Sequence, residues 1–263
     1  MPTKKTGITI QSVVRAVQIL DCFEDAPSLG ISEIAAMMGL SKSTVYGLVN
    51  TLSGCGLLEQ DASRNYHLGL KLFELGNKVG ARMDMRREAR PYCEVLADKY
   101  PATVHLAVFS GDEVIYIDKV DRPKSAVIVY SQIGKRAPMY CTGVGKAILA
   151  NLPMKEVEQY LQSDPLAKVT DRTITTKEAL LEELDQTRKR GYAMDNEEIE
   201  PGLNCIAAPI FDYSRRPCGA VSISFPFNRI GELDPDAVAQ DVMACAKTIS
   251  ARMGYTVEPG DRP

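Results

Sequence analysis

Apolar positions along the first quarter of the chain recur at helical spacing in three short runs. In Ser12 to Phe23, the residues Val13, Val17, Leu20 and Phe23, flanked by Val14 and Ala16, predict one apolar helix face. Ile31, Ile34, Ala35 and Met38 predict a second helix, and Val45, Leu48, Val49 and Leu52 a third. Gly39 falls between the last two, where a residue without Cβ takes left-handed backbone angles at little cost, and Ser41 is a good N-cap for the third helix. This is the layout of a helix-turn-helix. Its outer face would carry Lys42, Ser43, Thr44, Tyr46, Gly47 and Asn50, a small, polar, mildly basic surface that suits a DNA major groove. An ordinary helical hairpin with a solvated polar face has the same spacing. Leu57-Leu58-Glu59-Gln60, a turn-rich Asp61 to Asn65 and Tyr66-His67-Leu68 then read as two short strands around a tip bearing Arg64. Three helices and such a hairpin make a winged helix, with Arg64 placed to reach a phosphate or the minor groove.

Beyond residue 70 the pattern changes twice. Leu70 to Val79 and Met85 to Lys99 read as helices suited to an interdomain linker and a dimer contact. From Thr103 onward β-rich runs dominate: Thr103 to Phe109 and Glu113 to Asp118 around a Ser110-Gly-Asp112 turn, Ala126 to Ile133, Cys205 to Phe211, and Cys218 to Phe225. Helices are expected from Lys146 to Asn151, from Met154 to Leu161, and from Glu178 to Arg190, the last opened by a Thr175/Glu178 capping box and closed by Gly191. A final helix starts at Asp234-Pro235, cap plus N1 proline, and runs to about Met253. The fold class is therefore α+β: a winged helix-turn-helix over 8–70, a helical linker over 71–84, and an α/β sensor-type domain over 85–258.

Charge tempers the nucleic-acid reading. Over residues 1–68, Lys4, Lys5, Arg15, Lys42 and Arg64 stand against Asp21, Glu24, Asp25, Glu33, Glu59 and Asp61, one acid more than base. Phosphate contacts usually supply most DNA affinity, so one copy would bind weakly and a dimer spanning two half-sites is expected. The 263 residues suffice for two cored domains. No apolar run approaches a membrane span and the N-terminus is polar, so a cytoplasmic protein without a membrane partner is expected. Seven scattered cysteines without Cys-x-x-Cys, and only His67 and His105 as histidines, assemble no standard zinc set. No cofactor and no metal are expected.

Few residues invite a catalytic reading. Thr142-Gly-Val-Gly-Lys146 fails as a P-loop, because Tyr140 stands where the first glycine belongs and Ala147 where Ser or Thr should come after the lysine. No Gly-x-Ser-x-Gly elbow is present. An enzyme is therefore not expected. The glycines still place a close-approach backbone at a helix start, either an anion site or a tight turn that binds nothing. Ser222 and Ser224 share one strand face with Ala220, so both hydroxyls need partners or line a pocket. Cys205 in a neighbouring strand can join them. Glu197, Glu198 and Glu200 read as an acidic solvated loop.

Ser41-Lys-Ser-Thr-Val-Tyr46, Tyr66-His-Leu-Gly69, Thr142 to Lys146, Asp195-Asn-Glu-Glu198, Gly202 to Phe211 and Ser222-Ile-Ser224 occur in the order of the IclR family of bacterial transcription regulators, which the chain resembles along nearly its whole length. Lys71-Leu-Phe-Glu-Leu-Gly76, Arg172-Thr-Ile-Thr175 and Met253-Gly-Tyr255 look most like its KdgR branch, associated with 2-keto-3-deoxygluconate and sugar-acid catabolism. The resemblance implies an N-terminal winged helix, a C-terminal GAF-like effector domain, a homodimer or tetramer, operator DNA and a small organic acid as partners, and effector contacts at Gly143, Val144, Asp195, Leu203, Cys205, Ser222 and Ser224. It departs from the family at Gly47, where arginine is common, and at Thr142 and Val144, where Ser and Ala are usual. Together these readings imply a ligand-responsive regulator, more a repressor of a catabolic operon than an activator; a small-molecule enzyme with an appended DNA-binding domain and a protein-docking module are the rivals. Amides at Gly143 and Val144 with the two serines suit a carboxylate, and Asp195 would accept from a hydroxyl farther along the ligand, so a hydroxylated acid is expected.

Overall fold

The computed structural model describes residues 9–80, 84–121, 132–226 and 234–256. The chain divides into two compact units, split between residues 83 and 84. The first holds α1 (Gln11–Asp21), α2 (Ile31–Met38), α3 (Lys42–Gly54), β1 (Leu58–Gln60), β2 (Tyr66–Leu68) and α4 (Leu70–Gly80). Gly39 ends α2 at φ 61°, and the Ser41 hydroxyl accepts the Thr44 N–H at 3.3 Å to start α3, so the turn forms as its residues demand. β1 and β2 pair antiparallel, with Leu58 opposite Leu68 and Gln60 opposite Tyr66. Leu29 exchanges two 2.9 Å backbone hydrogen bonds with Tyr66 and adds a third short strand position to this wing. Ile19, Ile34, Val45, Val49 and Leu58 make the core.

The expected face of α1 is corrected. Ile19 is fully buried and Phe23 nearly so, with Ala16 and Leu20 packed against them, while Val13 and Val17 remain 58% and 53% exposed. α1 is apolar around most of its circumference near its start, so periodicity finds the helix without deciding which stripe faces inward.

The second unit holds α5 (Asp84–Lys99), β3 (Thr103–Ser110), β4 (Glu113–Val120), β5 (Arg136–Pro138), α6 (Gly143–Leu149), α7 (Met154–Ser163), α8 (Lys177–Arg190), β6 (Ala193–Asn196), β7 (Leu203–Phe211), β8 (Pro217–Pro226) and α9 (Pro235–Arg252). The six strands form one antiparallel sheet in the order β5-β4-β3-β8-β7-β6. Alternation along the strands sends Leu106, Ile206, Val221 and Ile223 to one face and His105, Ala107, Cys205, Ala207, Ser222 and Ser224 to the other. α9 packs on β7 and β8, α5 on β3 and β4, and the two helices pack on each other; α6 covers β6, β7 and β8.

Two strands and two helix starts differ from expectation. β5 and β6 do not register in the sequence pattern, because strands of three and four residues show too little alternation. α6 starts at Gly143, not Lys146, since the Thr142 hydroxyl caps it by accepting the Gly145 N–H at 3.2 Å. Thr176, not Thr175, caps α8, accepting from the Ala179 N–H at 3.4 Å. The strand expected over Ala126 to Ile133 lies outside the described residues up to position 131. No helix among the described residues is long and apolar enough to cross a membrane.

Candidate functional site

Two surfaces carry the chemistry. On α3 the buried stripe of Val45, Val49 and Leu52 turns Lys42, Ser43, Thr44, Tyr46, Gly47 and Asn50 to solvent. The Ser41 hydroxyl bonds those of Ser43 at 3.0 Å and Thr44 at 2.9 Å, and so orders the first turn of α3. A Cβ built on Gly47 meets nothing within 4 Å, so the open position leaves its neighbours free to approach a partner. Arg64 stands at the wing tip in the left-handed region, φ 65°. Its turn is held by Asp61, whose Oδ1 accepts from the Ser63 and Asn65 N–H groups at 2.8 and 2.9 Å.

The second surface is a cavity of about 300 Å³, its open mouth included, between α6 and the face of the sheet that carries the serines. All seven residues expected to contact an effector line it: Gly143 and Val144 from α6, Asp195 from β6, Leu203 and Cys205 from β7, and Ser222 and Ser224 from β8. Asp195, Cys205 and Ser224 are successive cross-strand partners, so pairing alone sets them in a row across β6, β7 and β8. The Cys205 thiol and Ser224 hydroxyl are hydrogen-bonded at 3.0 Å, and the Ser224 hydroxyl meets His105 Nδ1 at 3.2 Å. A Cβ built on Gly143 would lie 3.4 Å from those of Cys205 and Ala207 and 3.8 Å from that of Asp195, so the α6 backbone passes directly over this row. Asp195 therefore stands beside Gly143.

Three lining residues escape the sequence reading, His105 on β3, Tyr116 on β4 and Ile199, while Thr142, singled out there as a departure from the family, lines the cavity too. His105 and Tyr116 pack ring to ring with centroids 5.3 Å apart. The signal for His105 is present, as it is the one strongly polar side chain on the inward face of β3. Burial, helped by the Lys119 charge, pushes its pKa down to about 3, so the imidazole is neutral at physiological pH. Burial likewise raises the Tyr116 phenol and the Cys205 thiol well above their usual values.

The acidic-loop reading is corrected at Glu198. Its carboxylate is buried in an ion pair with Lys146, and its backbone N–H donates to Asp195 Oδ1 at 2.8 Å. Lys146 is the lone charged residue in Gly-Val-Gly-Lys-Ala-Ile-Leu, a helix buried along its whole length; a cation there requires a buried partner, and that is the clue the sequence holds. Burial raises Glu198 against the opposing pull of Lys146. Burial raises Asp195 as well, to about 7, with the Glu198 charge adding to the rise while the Glu198 and Ile199 backbone N–H groups and the Lys146 charge oppose it. Asp195 Oδ2 and Glu198 Oε2 have no hydrogen-bond partner. Among the described residues no group of three His, Cys, Asp or Glu side chains is arranged to hold a metal ion.

Residues 12–62 match the IclR helix-turn-helix domain, and residues 77–251 match the C-terminal domain of the bacterial transcriptional regulator IclR. The HTH-type transcriptional regulator KdgR of Escherichia coli strain K12 is 39% identical over 248 residues, 94% of each chain. The crystal structure of the Thermotoga maritima IclR superposes with a TM-score of 0.77 at 34% identity, covering 94% of this chain and all of that one. An IclR homolog from Microbacterium hydrocarbonoxydans, crystallised in complex with 4-hydroxybenzoate, gives a TM-score of 0.81 at 25% identity, with 92% and 98% covered. A winged helix with an open polar face and a sheet-and-helix unit with a small cavity are thus accompanied by likeness along the whole chain: the protein belongs to the IclR family of DNA-binding transcriptional regulators and is related to KdgR.

Proposed function

We propose that the protein represses a catabolic operon as a homodimer or tetramer and releases its operator on binding a small organic acid. The observation that carries this reading is the cavity: seven residues scattered over 82 positions of sequence, Gly143 to Ser224, line one space that includes an unpartnered carboxyl oxygen. Amides of Gly143 and Val144 and the hydroxyls of Ser222 and Ser224 suit a carboxylate. Tyr116 and His105 add groups that can bond further ligand oxygens, which supports a hydroxylated acid such as a sugar acid. That the Microbacterium relative was crystallised with an aromatic hydroxy acid agrees with this class.

On the DNA side, Lys42, Ser43, Thr44, Tyr46 and Asn50 read the major groove and Arg64 contacts the backbone from the wing. The acidic balance of this unit calls for two copies. The stripe of Ile10, Val13 and Val17 on α1, and Leu70, Phe73 and Leu75 on α4, all exposed by 45% or more, supports pairing through the first unit. Effector and operator binding are coupled reciprocally, typically by about 1–3 kcal/mol.

A thermal-shift panel of pyruvate, glyoxylate, gluconate, galacturonate, 2-keto-3-deoxygluconate and 4-hydroxybenzoate tests the effector class. A ligand at a hundred times its Kd stabilises the fold by about 2.7 kcal/mol, and the same ligand is expected to release operator DNA in a gel shift. A flat panel refutes the acid-effector reading. Binding of operator that persists undiminished in Lys42→Ala/Arg64→Ala refutes the DNA-contact assignment, and an unchanged salt slope refutes the Arg64 part of it, because one lost phosphate contact should lower that slope by about 1.

A further inference from the structure

An acid effector must enter a cavity that already contains a buried carboxyl. Asp195 is 1% exposed, lines the cavity, and has one oxygen committed to the Glu198 N–H and one without a partner. The one counter-charge that acts on it, Lys146, is paired with another carboxylate. From the loop after β6 comes Glu198, and from α6 comes Lys146, closed on Glu198. From β7 and from the segment before α6 come the Cys205 and Cys141 thiols, and from β4 and β3 the Tyr116 phenol and the neutral His105 ring. On α8, packed against β6, Glu183 is held by Arg190 at 2.6 Å. Lys146 is the one buried cation among the described residues. Two buried carboxyls therefore share one lysine, and a third, brought by the ligand, has no cation to meet. The Gly143 backbone, the natural seat for that carboxylate, passes beside Asp195.

Resting on the acid-effector reading, we propose that the site binds a monocarboxylate together with one proton, which Asp195 takes from solvent and donates through Oδ2 to the incoming carboxylate. A neutral Asp195 turns repulsion into a charge-assisted hydrogen bond, and the cluster gains one anion and one proton with no net change. The raised Asp195 value, about 7 in the free protein, makes that proton available near neutral pH. A second ligand carboxylate would have neither cation nor proton to satisfy it. Gluconate is therefore accepted and glucarate, its dicarboxylate counterpart, rejected.

Isothermal titration of the full-length protein with pyruvate, gluconate and 4-hydroxybenzoate at pH 6, 7 and 8, in buffers of different ionisation enthalpy, measures affinity and proton count together. These carboxylates stay ionised over the range, so a pH effect belongs to the protein. The expected result is Kd weakening about tenfold from pH 6 to pH 8, with uptake of about half a proton at pH 7 and nearly one at pH 8. Asp195→Asn, permanently neutral, is expected to bind equally at both extremes. A wild-type Kd independent of pH with no proton uptake overturns the inference while leaving the acid-effector reading intact. So does Asp195→Asn with the wild-type pH dependence, or glucarate binding as tightly as gluconate. If neither these three acids nor the rest of the thermal-shift panel binds at pH 6, the acid-effector reading itself fails and this inference with it. Should Asp195→Asn not fold, the wild-type proton count decides alone.

Discussion

Replacing Lys146 by methionine isolates the buried ion pair from everything else in the second unit. Methionine matches the length of the aliphatic stem, and Lys146 is 1% exposed, so the change removes a charge without opening a large cavity. The loss falls on Glu198. Its side chain is only 7% exposed, its Oε2 has no partner, and with Lys146 gone its Oε1 keeps only a long contact of 3.5 Å with the Asn196 N–H. Removing one member of a buried pair typically costs about 3–5 kcal/mol, because the remaining charge has neither water nor counter-ion. For a unit of this size each kcal/mol lowers Tm by about 2–4 °C, so a drop of roughly 6–20 °C is expected by thermal scanning, with a matching shift in the urea midpoint. The double variant Lys146→Met/Glu198→Met removes both charges and is expected to recover most of the loss, a coupling of about 2 kcal/mol or more in the cycle. The deficit also has a pH signature. Burial raises Glu198 above its unfolded value, so its protonated form is favoured in the fold and the destabilisation grows as pH rises. The single variant should accordingly approach wild type near pH 5. A single-variant cost below about 1 kcal/mol, or a double variant no more stable than the sum of the two singles, refutes the argument that the pair is energetically linked.

Other consequences are as direct. A Cβ on Gly145 would lie 2.3 Å from the Met139 carbonyl oxygen and 2.4 Å from its Cα, so Gly145→Ala should unfold the second unit or melt far below wild type. Gly143→Ala, whose new methyl meets only side chains at 3.4 Å, should fold but lose effector binding, as read by thermal shift with and without ligand. Val13→Glu/Val17→Glu removes no core contact, since both side chains are more than half exposed. Circular dichroism should show the fold kept while light scattering shows the assembly reduced to monomer; an unaltered dimer would remove the stripe from the interface. The neutral, buried His105 binds its proton only near pH 3, whereas the unfolded chain takes it up near 6.5, so stability falls as pH drops between these values, on the order of 5 kcal/mol in total. His105→Gln should flatten that part of the acid-denaturation profile, and an unchanged profile would show that His105 is not its source.

The sequence alone determined the local devices of this protein. Gly39 and Ser41 carry their own turn and cap chemistry, Asp234-Pro235 opens α9, and the alternation in Ser222-Ile-Ser224 puts both hydroxyls on one face, because each of these depends on neighbours within a few residues. The seven residues expected to contact an effector are legible partly through family likeness, and they line one cavity. What no local pattern contained was the long-range part. Which stripe of α1 turns inward depends on the partner helices, since both stripes are apolar. Glu198 reads as solvent-facing until β6 and β7 carry its loop over α6, 52 positions from the lysine it neutralises. His105 acquires its place only when β3 pairs with β8 and sets it against Ser224, 119 positions away. Charge and hydrogen bonding in a buried site act through space, so the acidity of Asp195 and the neutrality of His105 were decided by the tertiary structure and by nothing nearer along the chain.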